Sequence, residues 1–178
     1  MPTINKAWIE EWAGKYDYGN NKGMADLETR IFAAIKNVGP SPSYLTKAML
    51  LDIVRWKAAR AIGHARKNED QLVIEVTRVS LSARHEEVMI GALTLMKGVR
   101  YRMASTILYF CSPERYPIMD WRAWDSLKAL GRIQGEMEDT FECWQEYTGV
   151  CRKLAERYKV PLRTLDKALW KYKGGARQ

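Results

Sequence analysis

Little in this chain belongs to the chemistry of thiols or imidazoles. Its 178 residues hold three cysteines, Cys111, Cys143 and Cys151, with no Cys-x-x-Cys spacing, and two histidines, His64 and His85. Three thiolates cannot supply the four ligands of an iron–sulfur cluster, and two scattered histidines do not make a metal site. An odd cysteine count with no secretory leader speaks against a disulfide framework. The expectation is a cytoplasmic protein that uses no metal and no cofactor, with its cysteines packed as small apolar groups. Apolar runs are only a few residues long, far short of the roughly 20 needed to cross a bilayer, so no membrane segment is expected. Internal repeats, low-complexity tracts and linkers are also missing.

What is present is charge and a large apolar fraction. Lys and Arg outnumber Asp and Glu by 29 to 21, for a net charge of +8 and an isoelectric point near 9.4. That balance suits a polyanionic partner, because each phosphate neutralised by Lys or Arg releases condensed counterions, although sign alone does not identify nucleic acid. Apolar residues at 47% are enough for a single domain that buries roughly 70% of its unfolded surface.

Helical periodicity runs from end to end. Helices are predicted at Asn5–Trp12, Ala25–Val38, Tyr44–Ile62, His85–Met96, Tyr101–Phe110, Asp120–Leu130, Glu138–Tyr158 and Leu162–Tyr172. Thr46 or Ser43 is placed to cap the third of these. Gln71–Ser82 carries the β-branched residues of a strand, yet Leu72, Val76, Val79 and Ala83 keep helical spacing and no partner strand is apparent, so helix is the expectation. Turns fall at Tyr18–Gly23 and Gly39–Ser43, and a basic tail occupies about 173–178. The fold class is all-α, a compact bundle of about eight helices.

Two features carry chemistry. Lys97-Gly98-Val99-Arg100, between two predicted helices, is a turn too short for anything but sharply diverging axes, and Gly98 supplies the residue without a Cβ that its tightest point requires. Unpaired N–H groups at the head of the following helix, flanked by Lys97, Arg100 and Arg102, suit a phosphate oxygen. An ordinary glycine-capped helical hairpin fits the same residues. Asp120, ahead of Trp121-Arg122-Ala123-Trp124, is a good N-cap, and an ionised cap is also what stabilises a cationic transition state.

Taken together, Met96 to Leu127, about a fifth of the chain, resembles the helix-hairpin-helix DNA glycosylase superfamily, which includes endonuclease III. That family's hairpin reads Leu-Pro-Gly-Val-Gly, then two residues, a small residue, Ala and an apolar run; here Met96-Lys97-Gly98-Val99-Arg100 is followed by Tyr101, Arg102, Met103, Ala104 and Ser105-Thr106-Ile107-Leu108. Its catalytic Asp follows a Pro-containing loop 22 residues after the first hairpin Gly, the step from Gly98 to Asp120. The resemblance implies a helix-hairpin-helix at about 86–110, Asp120 as the catalytic carboxylate, and DNA contacts by Lys97, Gly98, Val99, Arg100 and Arg102. It departs from the family where the Schiff-base Lys of bifunctional members would stand. Arg102 is there, and a guanidinium cannot act as an amine nucleophile. The chain also lacks the cluster cysteines.

Trp56 and Lys57 lie on a helix that in such enzymes helps form the base pocket, and Trp121 and Arg122 flank Asp120; these four are the candidate pocket residues. Trp56 fits a core position equally well. Trp8, Trp12, Trp144 and Trp170 read as core or interface, Trp124 as a second wall of a cleft beside Asp120, and Arg60, His64, Arg66 and Lys67 as a solvated face. The function implied is a monomeric, monofunctional glycosylase acting on double-stranded DNA that contains a modified base. A non-catalytic DNA-binding module and an all-helical interaction domain are the alternatives.

Overall fold

The computed structural model describes residues 3–21, 23–39 and 43–173. These contain helices and no strand: α1 (Lys6–Gly14), α2 (Gly23–Lys36), α3 (Lys47–Ala58), the single turn α4 (Ile62–Ala65), α5 (Asp70–Ser82), α6 (Glu86–Leu93), α7 (Tyr101–Cys111), α8 (Trp121–Ala129), α9 (Phe141–Tyr158) and α10 (Leu162–Lys173). Nine helices plus one isolated turn thus stand where about eight were expected. The expected loop at Gly39–Ser43 and the basic tail fall largely outside the described residues.

Capping sets most boundaries. Asn5 accepts a hydrogen bond from the Trp8 N–H at 2.9 Å, and Thr46, rather than Ser43, caps α3 through the Met49 N–H. Thr140 caps α9, which therefore begins three residues later than the periodicity suggests. That helix ends with Lys159 at φ 52°, just before Val160-Pro161, where no helix can continue. The long segment Tyr44–Ile62 is shorter as a helix than expected. Beyond Ala58 the chain tightens into a 3-10 turn at Ala59–Ala61 and then α4.

The β-branched segment is helical, as α5, and its burial explains why. Val73, Val76, Thr77 and Ser80 form one inward stripe, and the Thr77 hydroxyl donates to the Val73 carbonyl while accepting the Leu45 N–H at 2.9 Å. Tertiary packing outweighs the strand propensity of the side chains.

α7 is the axis of the molecule, with every side chain from Met103 to Phe110 buried. It also fixes the loop that leads into α8. Ser105 Oγ donates to the Pro117 carbonyl at 2.9 Å and accepts the Met119 N–H at 2.7 Å, and the Tyr147 hydroxyl donates to the Ile118 carbonyl at 3.0 Å. α10 packs chiefly on α1 and α8, joining the two ends of the described chain. Trp124 is a correction to the sequence reading. It is fully buried and stacked on Tyr147 rather than lining a cleft.

Candidate functional site

Asp120 caps α8, its Oδ1 accepting the Arg122 N–H at 3.0 Å. Its other oxygen, Oδ2, is 2.8 Å from Nζ of Lys57, in the last turn of α3, and each side chain is 15% exposed. Burial by itself would push this carboxyl up. The Lys57 ammonium, the hydrogen bond from it and the Arg122 N–H outweigh burial and hold it below the ordinary aspartate value. The carboxylate is therefore ionised, oriented and largely enclosed.

Lys57 and Asp120 line two concavities at once. One is a cavity of about 190 Å³ walled by Tyr16, Tyr18, Trp56 and Trp170, with Met24, Ile118, Arg163 and Asp166 completing it. This is smaller than the ~300–1,000 Å³ typical of drug-sized ligands, and four aromatic rings line it, Tyr16 edge-on to both Tyr18 and Trp170, dimensions that suit a single planar ring system. Trp56 is anchored by its Nε1–H, which donates to the Met24 carbonyl at 3.2 Å. The second is a groove of about 290 Å³ lined by Arg60, Gly98, Arg100, Arg102 and Trp121.

Behind the cavity lies a buried ion network. Arg163 grips Glu28 with two parallel bonds, Nε to Oε1 at 3.0 Å and Nη2 to Oε2 at 2.9 Å, and its Nη1 donates to Asp166 Oδ2. The Tyr18 and Tyr109 hydroxyls donate to Glu28 at 2.7 and 2.8 Å. Tyr18 sits at φ 53°, an uncommon value for a residue with a side chain, and its bond to Glu28 fixes the ring against the cavity. Burial raises the phenols of Tyr16, to about 12, and of Tyr109. Both phenols are neutral across the working pH range.

The turn between α6 and α7 is braced from below. The buried Asn68 accepts the Lys97 N–H at 2.8 Å and donates to the Lys97 carbonyl at 2.9 Å. Gly98 has φ 84°, and a Cβ there would come within 3.0 Å of His64 Cβ and 3.1 Å of the Ala65 nitrogen. Lys97, Arg100 and Arg102 are exposed around it, as are Arg60, His64, Arg66 and Lys67. Val99 differs: its side chain is in the core and its N–H bonds the Met96 carbonyl, which leaves it no free donor for a phosphate. The head of α7 already holds an internal anion. The Asp139 carboxylate accepts the Arg102 N–H at 3.3 Å and lies 3.1 Å from Arg100 Nε.

Of the sequence candidates, Asp120, Lys57 and Trp56 meet in the cavity, while Gly98, Arg100, Arg102 and Trp121 meet in the groove. Arg122 lines neither of these but a neighbouring concavity with Arg102 and Trp121, its guanidinium 4.1 Å from the centroid of Trp170 and its buried Nε without a hydrogen-bond partner among the described residues. Sequence reasoning missed Tyr16, Tyr18, Glu28, Asn68, Asp139, Arg163 and Asp166. Trp170, read there as core or interface, is a cavity wall. Among the described residues no three His, Cys, Asp or Glu side chains converge as a metal site, and no helix is long and apolar enough to span a membrane. No family model matches the chain, and neither does any curated protein or solved structure.

Proposed function

We propose that this chain is a DNA glycosylase that hydrolyses the N-glycosidic bond of a modified base turned out of duplex DNA, acting as a monomer and without a cofactor. One observation carries the reading: an ionised carboxylate, Asp120, lines both a ring-sized cavity with aromatic walls and an arginine-lined groove. A nucleotide with its phosphates in the groove and its base in the cavity brings its C1′ to that carboxylate.

In this reading α6, the Gly98 turn and α7 act as a helix-hairpin-helix, and Arg60, Arg100 and Arg102 hold the sugar-phosphate backbone. The extruded base stacks between the aromatic walls. As the base departs, positive charge develops on the sugar, and the Asp120 carboxylate stabilises it across the low-dielectric mouth of the cavity. Lys57 keeps Asp120 charged and aimed. Arg102 cannot form a Schiff base, so no lyase step runs through that position and hydrolysis is the proposed outcome.

The test is a panel of duplexes, each with one lesion base, incubated with the wild type and with Asp120→Asn. Asparagine preserves the cap, so the variant is expected to fold and bind duplex while excision falls by about 10²-fold or more. Wild-type binding without excision of any lesion points to a non-catalytic DNA-binding module. Failure to bind duplex at low salt points to an interaction domain. Borohydride trapping of Lys57 on abasic DNA would replace hydrolysis with lyase chemistry.

A further inference from the structure

Two carboxylates line the aromatic cavity, and their surroundings drive them apart. Asp120 lines the groove as well, whereas Asp166 lines the cavity and not the groove. Asp166 is 4% exposed, and its bond to Arg163 is made through Oδ2 only. That guanidinium is already committed to both oxygens of Glu28, and one cation shared between two carboxylates compensates neither fully.

Burial therefore dominates at Asp166 and pushes its carboxyl up to about 6, against the opposing pull of Arg163 and Lys57 and with a further push from Asp120. The charged and titratable groups around it are Arg163 and Lys167 on its own helix, Glu28 on α2, Lys57 on α3, Tyr109 on α7, Asp120 at the head of α8, Tyr147 and Cys151 on α9, and Tyr16 on the loop after α1. Burial pushes up the hydroxyls of Tyr16 and Tyr147 and the thiol of Cys151, so none of them competes for a proton near neutrality.

Resting on the glycosylase reading, we propose that Asp166 is the general acid that protonates the departing base, while Asp120 serves the sugar. As the C1′–N bond breaks, its electron pair goes to the base. The Asp166 carboxyl proton transfers to a ring nitrogen or exocyclic oxygen, so the base leaves neutral. Water adds to C1′ and gives one proton to the Asp120 carboxylate, which passes it to solvent, and solvent reprotonates Asp166. The net change is addition of one water across the glycosidic bond. One held-down and one raised carboxyl in the same cavity is the arrangement that separates a charge stabiliser from an acid. The substrate class follows: neutral lesion bases, whose departure needs a proton. A base that is already cationic, such as N7-methylguanine, leaves without that help.

The test is single-turnover excision from about pH 4 to about pH 9 by the wild type, Asp166→Asn and Asp166→Glu, on a neutral lesion and on N7-methylguanine, with duplex binding measured alongside. For the neutral lesion the wild-type rate is expected to fall roughly tenfold per pH unit above about 6, because the acid must be protonated. Asp166→Asn should lose that limb and slow by ~10²–10⁴-fold with binding unchanged, while Asp166→Glu keeps the limb. Any wild-type excision of N7-methylguanine should be little affected by Asp166→Asn.

Equal slowing on both substrates with the alkaline limb intact overturns the assignment and leaves Asp166 as a structural partner of Arg163. Wild-type rates in Asp166→Asn overturn it while the glycosylase reading stands. If the wild type excises nothing, both fall together. If Asp166→Asn does not fold, the wild-type limb and its retention in Asp166→Glu decide, and absence of the limb overturns the assignment.

Discussion

Lys57 Nζ and Asp120 Oδ2 are 2.8 Å apart across 63 residues of sequence, and the pair forms the shared rim of cavity and groove. The ammonium is what keeps Asp120 charged in a place where burial would neutralise it.

Lys57→Met removes that support. The Asp120 carboxyl is expected to rise, moving the acidic limb of any excision profile to higher pH. Stability at pH 7 should drop by about 3 kcal/mol, the lower end for a broken buried pair because these side chains keep some solvent. The sign with pH is fixed. A depressed carboxyl contributes stability above its unfolded value and loses it as pH falls through the folded one, so the gap between wild type and variant should close in acid. Urea denaturation at both ends of the range checks this, and an equal gap at each end would contradict it.

Gly98→Ala should cost roughly 2–3 kcal/mol, combining a side chain in the left-handed region with contact against the α4 backbone. Gly135, also at positive φ but with open space around its Cβ position, is the control, and Gly135→Ala should cost only about 1–2 kcal/mol. Thermal or chemical denaturation separates the two. Equal losses would show that crowding at Gly98 contributes nothing.

Arg163→Met strands two buried carboxylates and should destabilise by about 3–5 kcal/mol at neutral pH. The loss should shrink toward pH 5, where the Asp166 carboxyl, already raised in the native protein, takes up a proton readily. Arg163→Lys should recover little, since one ammonium cannot replace a bidentate grip. A loss that does not change with pH would mean that the carboxylates are not what is left exposed to the deficit.

Asp139→Asn should tighten duplex binding. It removes a carboxylate that competes for Arg100, Arg102 and the head of α7. Arg102→Ala should weaken binding to all sequences alike and reduce the log–log salt slope by about 1. Fluorescence anisotropy over a salt series reads both, and weaker binding by Asp139→Asn would assign that carboxylate a supporting role instead.

Local patterns in the sequence were enough for the helices, the Gly98 turn and the Asp120 cap, because each depends on residues within one or two turns of chain. The strand-like α5 was legible for the same reason, its spacing being helical even though its composition was not. Boundaries moved where a cap overruled periodicity, as at Thr140. The site was only half legible. Lys57 and Asp120 were both candidates, but nothing in sequence says that residues 63 positions apart touch. Asp166 resembles any solvated acid on a basic helix, and its one signal was Arg163 three residues before it. Trp124 and Trp170 exchanged roles because an aromatic on an apolar stripe does not reveal whether a cavity lies beside it.

The docking of α10 on α1 and α8 also has a meaning in time. Arg163, Asp166 and Trp170 reach the cavity only through α10, and Ser126 secures that helix by donating to the Leu169 carbonyl. None of the groove's lining residues and neither member of the Lys57–Asp120 pair lies in residues 162–173, whereas three of the cavity's lining residues do, so synthesis supplies the residues of the groove before those of the cavity. A chain cut short before residue 162 would keep every groove residue and lack Arg163, Asp166 and Trp170.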